Sequence, residues 1–218
     1  MSIQNVDRSR NGGINANDYH PVVTIYADAS CLRNGAADSS AGCGAVIIDS
    51  HRTDLRLIAK YLGSVTNQQA EILACSTALG ELRRPCVVDI ISDSRYVIEA
   101  MTGNNRMKSN RPFWSELVAK CYGHHVTWRW VKGHSGVSLQ EVADRLSRVA
   151  STYQNSLPEE VLNELAVYVK EDSDELSIQG FERSLDVLAR RYFLPAQINK
   201  QFTNGNIAER LPSAFSAQ

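Results

Sequence analysis

The chain has 218 residues, of which 43% are hydrophobic and 22% are charged. These values are typical of a globular protein with a substantial core and exclude a disordered or fibrous chain. The formal net charge is only -1, but residues 106–132 carry six basic side chains against one acid, which predicts a local positive patch.

The cysteines favour free thiols over disulfides or a zinc site. There are five of them, an odd number, and none forms a Cys-x-x-Cys pair. Free thiols indicate a reducing compartment. No apolar run approaches the roughly 20 residues of a membrane span, and the N-terminus lacks the apolar segment of a signal peptide. We therefore expect a cytoplasmic protein with no membrane partner.

The first third of the chain predicts a leader and a three-strand meander. Residues 1–20, which contain Asn-Gly-Gly, are expected to be a flexible leader. Three β-rich runs follow, joined by short turns, at residues 21–28, 42–49 and 55–61. Such spacing predicts antiparallel pairing of consecutive strands. The first strand is expected to end at Asp28.

The middle of the chain alternates between helices and strands. Residues 67–82 carry apolar side chains at helical spacing, with Thr66 or Asn67 placed as the cap. The nearly continuous apolar run at residues 87–93 is typical of a central parallel strand and ends at Asp93. The remaining predicted elements are helices at 96–101, 113–122 and 142–149 and a strand at 126–131. Together they predict an α/β fold with a five-stranded mixed sheet and helices on both faces.

The last third of the chain differs in character from the rest. Residues 156–218 carry 6 basic and 10 acidic side chains, a net charge of -4. Two amphipathic helices are predicted there, at 157–170 and 181–193, followed by a loose tail from Pro195. Helices this short are unstable alone in water. We therefore expect a domain at residues 21–155 and a helical C-terminal extension at 156–218 that packs on the core or on a protein partner.

Four acids are candidates for a metal site. Asp28 and Asp93 follow strands, Glu71 lies one turn into a helix, and Asp144 lies early in the last core helix. Carboxylates at the ends of neighbouring parallel strands meet at the edge where open α/β sheets bind ligands. Converging carboxylates repel one another, and a hard cation such as Mg²⁺ or Mn²⁺ relieves the repulsion. Two such ions, about 3.5–4 Å apart, can promote phosphodiester hydrolysis.

A glycine-flanked loop supplies a fifth candidate. Lys-Gly-His-Ser-Gly at residues 132–136 follows the fifth predicted strand, and its glycines allow the backbone to approach a ligand closely. His134 is therefore placed to assist catalysis. Trp128 and Trp130, on the strand before it, are expected to belong to the core, as is Trp114.

These motifs together resemble type 1 ribonuclease H over residues 22–150. The motifs, in family order, are Tyr-Ala-Asp-Ala-Ser-Cys at 26–31, Asn-Gln-Gln-Ala-Glu-Ile-Leu at 67–73, Ser-Asp-Ser-Arg-Tyr-Val at 92–97, and Trp-Val-Lys-Gly-His-Ser-Gly at 130–136 followed by Asp144. The resemblance implies the ribonuclease H fold and a Mg²⁺-dependent endonuclease that cuts the RNA strand of RNA/DNA hybrids, leaving 5′-phosphate ends.

The resemblance also implies roles for individual residues. The four acids would ligate two metal ions, and His134 would assist proton movement or product release. Five further residues correspond to positions that contact the hybrid in the family: Asn34, Asn67 and Gln68 for its minor groove, where 2′-hydroxyls distinguish RNA from DNA, and Thr66 and Ser94 for the DNA strand. Thr66 and Ser94 are equally well explained as cap and turn residues.

The chain departs from the family pattern at one notable place. Residues 102–111 are too few to contain the basic "handle" helix of many bacterial members. Two other functions remain open at this stage: a non-catalytic hybrid-binding or scaffold protein, and a recombination nuclease of the same fold class that acts on DNA only. The four acids argue against the first, because hybrid binding alone does not require clustered negative charge.

Overall fold

The computed structural model describes residues 20–50, 54–133, 138–169 and 175–203. This part of the chain contains five strands and six helices. They are β1 Val22–Leu32, β2 Ser40–Asp49, β3 Asp54–Gly63, α1 Asn67–Leu79, β4 Val87–Ser92, α2 Arg95–Met101, α3 Arg111–Cys121, β5 His125–Trp130, α4 Ser138–Tyr153, α5 Glu159–Ala166 and α6 Glu175–Thr203.

The strands form one mixed sheet in the order β3-β2-β1-β4-β5. β1 pairs antiparallel with β2, and β2 pairs antiparallel with β3. β4 lies parallel to β1 on one side and to β5 on the other. The predicted meander followed by parallel β/α units is confirmed. Residues 102–110, between α2 and α3, contain no helix, so the predicted absence of a handle helix holds as well.

One face of the sheet packs against α1, α2 and α3. Because side chains alternate along a strand, Ile25 of β1 and Ile90 of β4 point to this face and are fully buried. Ile72 of α1 and Leu117 of α3 are equally inaccessible and complete the contact. Trp114 belongs to the same cluster, as predicted.

The other face of the sheet packs against α4 at unusually short range. Gly42 and Gly44 of β2 face this helix. A Cβ at Gly44 would collide with the carbonyl oxygen of Ala143, and a Cβ at Gly42 would lie only 2.5 Å from the carbonyl oxygen of Ser147. Real Cβ atoms do not approach backbone this closely, so only glycine allows α4 to lie where it does.

The C-terminal extension packs on the core, beyond α4. Leu165 of α5 and Phe181 of α6 are fully buried in one cluster with Val46 of β2 and Leu146 of α4. The chain entering the extension hydrogen-bonds the outer strand. The Leu157 N–H donates to the Ala59 carbonyl at 3.0 Å, and the Tyr61 N–H donates to the Ser156 hydroxyl at 2.9 Å.

Several boundaries of the predicted secondary structure are wrong. The helix expected at residues 142–149 is α4, which spans Ser138–Tyr153. α6 continues past Pro195 to Thr203, where a loose tail was expected. Proline lacks an N–H and normally disfavours a helix interior, but the apolar positions of α6 at Phe181, Leu185 and Phe193 bury one face of this helix. The first strand does not end at Asp28 but continues to Leu32. Residues 1–19 of the leader predicted at residues 1–20 lie outside the described residues.

Candidate active site

The register of the sheet brings Asp28 and Asp93 to the same level. The parallel pairing of β1 with β4 extends to Tyr26 opposite Ile91. Asp28 lies two residues beyond Tyr26, and Asp93 lies two residues beyond Ile91. β1 continues past this point paired with β2 alone. The carboxylates therefore meet at the sheet edge, as predicted, although Asp28 lies within its strand.

Asp28 is buried between β2 and α4. Only 6% of it is exposed, and it lies opposite Gly44 in the β1–β2 ladder. The Ser147 hydroxyl of α4 donates to Asp28 Oδ2 at 3.2 Å. The same hydroxyl lies 2.8 Å from the carbonyl oxygen of Asp144. The close approach of α4 at Gly44 thus joins this helix to the Asp28 carboxyl group.

Burial raises the pKa of Asp28 from 3.8 to about 8, and the negative charges of Asp93 and then Asp144 act in the same direction. The Asp93 carboxylate also lies within hydrogen-bonding distance of Asp28, which favours a shared proton. The Ser147 hydroxyl opposes the shift. Without a counter-charge, Asp28 therefore holds a proton at neutral pH.

Glu71 is the third member of this group. Its Oε2 atom is inaccessible to solvent and has no hydrogen-bond partner among the described residues. Burial is the main cause that raises its pKa well above 4.5, followed by the charges of Asp28 and Asp93. An unpaired, buried carboxylate oxygen is costly, which points to a missing partner at this position.

Asp144 lies at the rim of the group, on α4. Its side chain is 18% exposed, and Asp144 Oδ1 accepts from Arg148 Nε at 2.8 Å, one helical turn along. Asp144 is near enough to Asp28 to raise its pKa. The structure thus brings all four predicted acids to one edge of the sheet.

The chemistry of these donors fits a hard divalent cation. They are carboxylate oxygens only, which is the donor type preferred by Mg²⁺ and Mn²⁺. A cation would relieve the repulsion that raises the pKa of Asp28 and would give Glu71 Oε2 a partner. In the part of the chain that the structure describes, no three Asp, Glu, His or Cys side chains already stand at ligand spacing. A cation would therefore have to draw the carboxylates together.

The predicted substrate-binding residues occupy the loops beside the acids. Asn34 Oδ1 accepts from the Asn67 N–H at 2.9 Å, which joins the β1–β2 turn to the start of α1. The side chains of Thr66 and Ser94 cap α1 and α2. Gln68 is exposed on the first turn of α1. The cap role of Thr66 and Ser94 therefore holds, and each hydroxyl keeps its own proton free to donate.

His134 lies outside the described residues, but the loop that carries it begins against Asp93. A Cβ at Gly133 would collide with Asp93 Oδ2. The glycine therefore allows the backbone to pass directly over this carboxylate. Substitution of Gly133 would displace either the loop or the acid.

Two residues of the site neighbourhood escaped the sequence analysis. Trp130 is 41% exposed, so its expected place in the core is wrong, whereas Trp128 packs against the core as expected. The Trp130 indole N–H donates to the Asp93 carbonyl at 3.0 Å, and the Arg95 guanidinium lies 4.4 Å above its ring. Arg95 belongs to the motif Asp-Ser-Arg, but no sequence pattern indicates that it stacks on Trp130, which lies 35 residues later on β5.

Comparison with known proteins identifies this arrangement. The family model of RNase H matches residues 20–152, more than half of the chain. The chain belongs to the ribonuclease H family. Ribonuclease H of Phenylobacterium zucineum is 35% identical over 141 residues, covering 59% of this chain and 89% of that protein. Ribonuclease H of Pseudoalteromonas translucida is 37% identical over 143 residues, with the same coverage of both chains. The protein is accordingly a ribonuclease H enzyme.

A solved structure agrees with this assignment. The crystal structure of LC9-RNase H1, described as a type 1 RNase H with the type 2 active-site motif, superposes with a TM-score of 0.57 at 26% identity. It covers 75% of this chain and 86% of its own. The curated relatives match about 60% of this ribonuclease H, and the match to the family model ends at residue 152, before the C-terminal extension. Within the described residues, no helix is both long and apolar enough to span a bilayer.

Proposed function

We propose that this ribonuclease H hydrolyses the RNA strand of RNA/DNA hybrids with two Mg²⁺ ions, or Mn²⁺ in their place, bound by Asp28, Glu71, Asp93 and Asp144. The observation that carries the proposal is the burial of Asp28 and of Glu71 Oε2 beside Asp93, with this Glu71 oxygen left without a hydrogen-bond partner among the described residues. A cation would neutralise such a group without protonation, and phosphodiester hydrolysis is chemistry that paired cations support.

The protein contributes positioning and electrostatics. Ser147 orients the Asp28 carboxyl group, and the short packing of α4 on Gly44 keeps Asp144 beside it. When bound, the ions supply Lewis acidity at the phosphodiester. His134, on the loop that starts at Gly133, is proposed to move a proton during turnover or to assist product release.

We propose that Asn34, Asn67 and Gln68 contact the minor groove of the hybrid. Asn34 and Asn67 are already joined by a hydrogen bond, and their remaining amide groups can donate to and accept from 2′-hydroxyls. Thr66 and Ser94 are proposed to meet the DNA strand with their hydroxyl protons. These five residues would place the phosphodiester above the acids.

The proposal is tested with Asp93→Asn and a matched control, Asp89→Asn. Asp89 lies on the same strand and pairs with Arg129 at 2.8 Å, away from the acid group. Labelled hybrid, double-stranded RNA and double-stranded DNA are incubated with each protein and Mg²⁺. We expect the wild type and Asp89→Asn to cut only the hybrid, and Asp93→Asn to lose at least about 100-fold, because metal activation contributes several kcal/mol.

Three results would contradict the proposal. Cleavage of double-stranded DNA in preference to hybrid would show the substrate class to be wrong. Cleavage in the presence of excess EDTA would remove the metal ions from the mechanism. Near wild-type cleavage by a folded Asp93→Asn protein, with folding checked by circular dichroism, would remove Asp93 from the metal ligands.

A further inference from the structure

The four acids are not equivalent in their surroundings. Asp28, Glu71 and Asp93 form an inner group, because the pKa of Glu71 responds to burial first and then to Asp28 and Asp93. Asp144 influences Asp28 less than Asp93 does. The carboxylate of Asp144 is in direct contact with a cation: it accepts from Arg148 at 2.8 Å.

The Arg148–Asp144 ion pair is well formed for an α-helix. Acid and base stand four residues apart with the acid on the N-terminal side, which is the more favourable order. Arg148 is half exposed, whereas Asp144 is largely covered. A guanidinium can therefore hold Asp144 at the helix surface without being buried itself.

We propose that Arg148 is a positioning residue that competes with the metal for Asp144. A divalent cation that recruits Asp144 would have to displace or share its contact with Arg148. Arg148 would thereby make Asp144 the last carboxylate to engage and would set the metal concentration at which the site is complete. This inference rests on the proposed metal-binding function.

The same helix offers a matched comparison at Arg145. This residue lies one turn before Arg148 and is also about half exposed, and its Nε donates to Glu182 of α6 at 2.8 Å. Replacing either arginine with alanine removes one positive charge from α4. Only the replacement of Arg148 removes a positive charge that contacts an acid of the site. Any difference between the two variants therefore reports on the contact with Asp144.

We expect Arg148→Ala to bind the metal more tightly than the wild type, because the competing cation is gone. A partly exposed ion pair contributes about 0.2–1 kcal/mol, which corresponds to roughly a 1.4- to 5-fold lower Kd. Arg145→Ala should change the Kd much less. Arg148→Lys, which keeps a charge able to pair with Asp144, should restore most of the wild-type value.

The measurement is Mn²⁺ binding to the full-length chain, followed by the electron paramagnetic resonance signal of free Mn²⁺ at constant ionic strength. It reports on affinity without any turnover. Thermal unfolding in EDTA and in Mn²⁺ provides a second readout, with a larger metal-induced rise in Tm expected for Arg148→Ala than for Arg145→Ala. If Arg148→Ala bound Mn²⁺ no more tightly than Arg145→Ala, competition by Arg148 would be disproved.

Asp144→Asn separates this inference from the proposed function. We expect it to weaken Mn²⁺ binding, and in the double variant with Arg148→Ala the gain from removing Arg148 should disappear. If Asp144→Asn bound Mn²⁺ like the wild type, Asp144 would not be a metal ligand. The proposed set of four ligands and the proposed role of Arg148 would then both be disproved. If Asp144→Asn weakened Mn²⁺ binding but Arg148→Ala and Arg145→Ala had the same Kd for Mn²⁺, only the proposed role of Arg148 would be disproved.

Discussion

Replacing Asp28 with asparagine should stabilise the metal-free protein while removing its activity. Asp28 has a pKa of about 8 in the folded chain against 3.8 for an unperturbed group, so at pH 7 folding requires a proton that the unfolded chain has released. The cost at pH 7 is about 4 kcal/mol, from roughly three pKa units at 1.36 kcal/mol each. The asparagine side chain would carry no charge and would avoid this cost.

The sign of the pH dependence follows from the raised pKa. The folded state binds more protons than the unfolded state between pH 4 and 8, so the stability of the wild type falls as the pH rises through this window. The advantage of Asp28→Asn should therefore grow by roughly 3 kcal/mol between pH 5 and pH 7.

Urea unfolding in EDTA at pH 5, 6, 7 and 8 measures this difference directly. Asp38→Asn is the control, because Asp38 is exposed and pairs with Arg33 at the surface; its difference from the wild type should be small at every pH. A difference between wild type and Asp28→Asn that stayed constant from pH 5 to pH 8 would refute the reasoning. Asp28 would then be ionised in the folded chain despite its burial.

Two further predictions follow from the loop and the extension. His134→Ala should lower kcat on hybrid by up to about 10²–10⁴-fold, the contribution of a group that moves a proton, without abolishing it. The control, His125→Ala at the other end of β5, should leave kcat unchanged. Equal values of kcat for His134→Ala and wild type would exclude His134 from the mechanism. Phe181→Ala should lower the free energy of unfolding, measured with urea, by about 3–5 kcal/mol, because this side chain is fully buried. The control is Val187→Ala, at an exposed position of the same helix, which should change this free energy by no more than about 0.5 kcal/mol. A cost below 1 kcal/mol at Phe181 would show that the extension adds little to the stability of the fold.

The sequence predicted the fold because its local signals and its long-range arrangement agree. The apolar run ending at Asp93 indicated a central parallel strand, and the short turns before it indicated a meander. Asp28 was placed at a strand end because the β-rich run at residues 21–28 ends in this acid. The parallel ladder does end near it, at Tyr26. The extra residues of β1 pair only with β2. No feature of Ala-Ser-Cys at 29–31 predicts that this pairing continues past Asp28.

Contacts between distant residues could not be predicted in the same way. Ser147 donates to Asp28 across 119 residues of sequence, and a serine within a helix has no special pattern. The length of α6 was missed for a related reason, since Gly180 and Pro195 are both unfavourable inside helices. Burial of Phe181 and its neighbours outweighs this local preference, and that burial exists only once the sheet and α4 are in place.

The first residues of the extension have a consequence for the behaviour of the protein in solution. β3 is the outer strand of the sheet, and an outer strand offers unpaired backbone groups to other chains. Here the Ala59 carbonyl and the Tyr61 N–H are already bonded to Leu157 and Ser156. The extension therefore covers part of an edge at which two copies could otherwise join their sheets, and it protects the enzyme against aggregation along that edge.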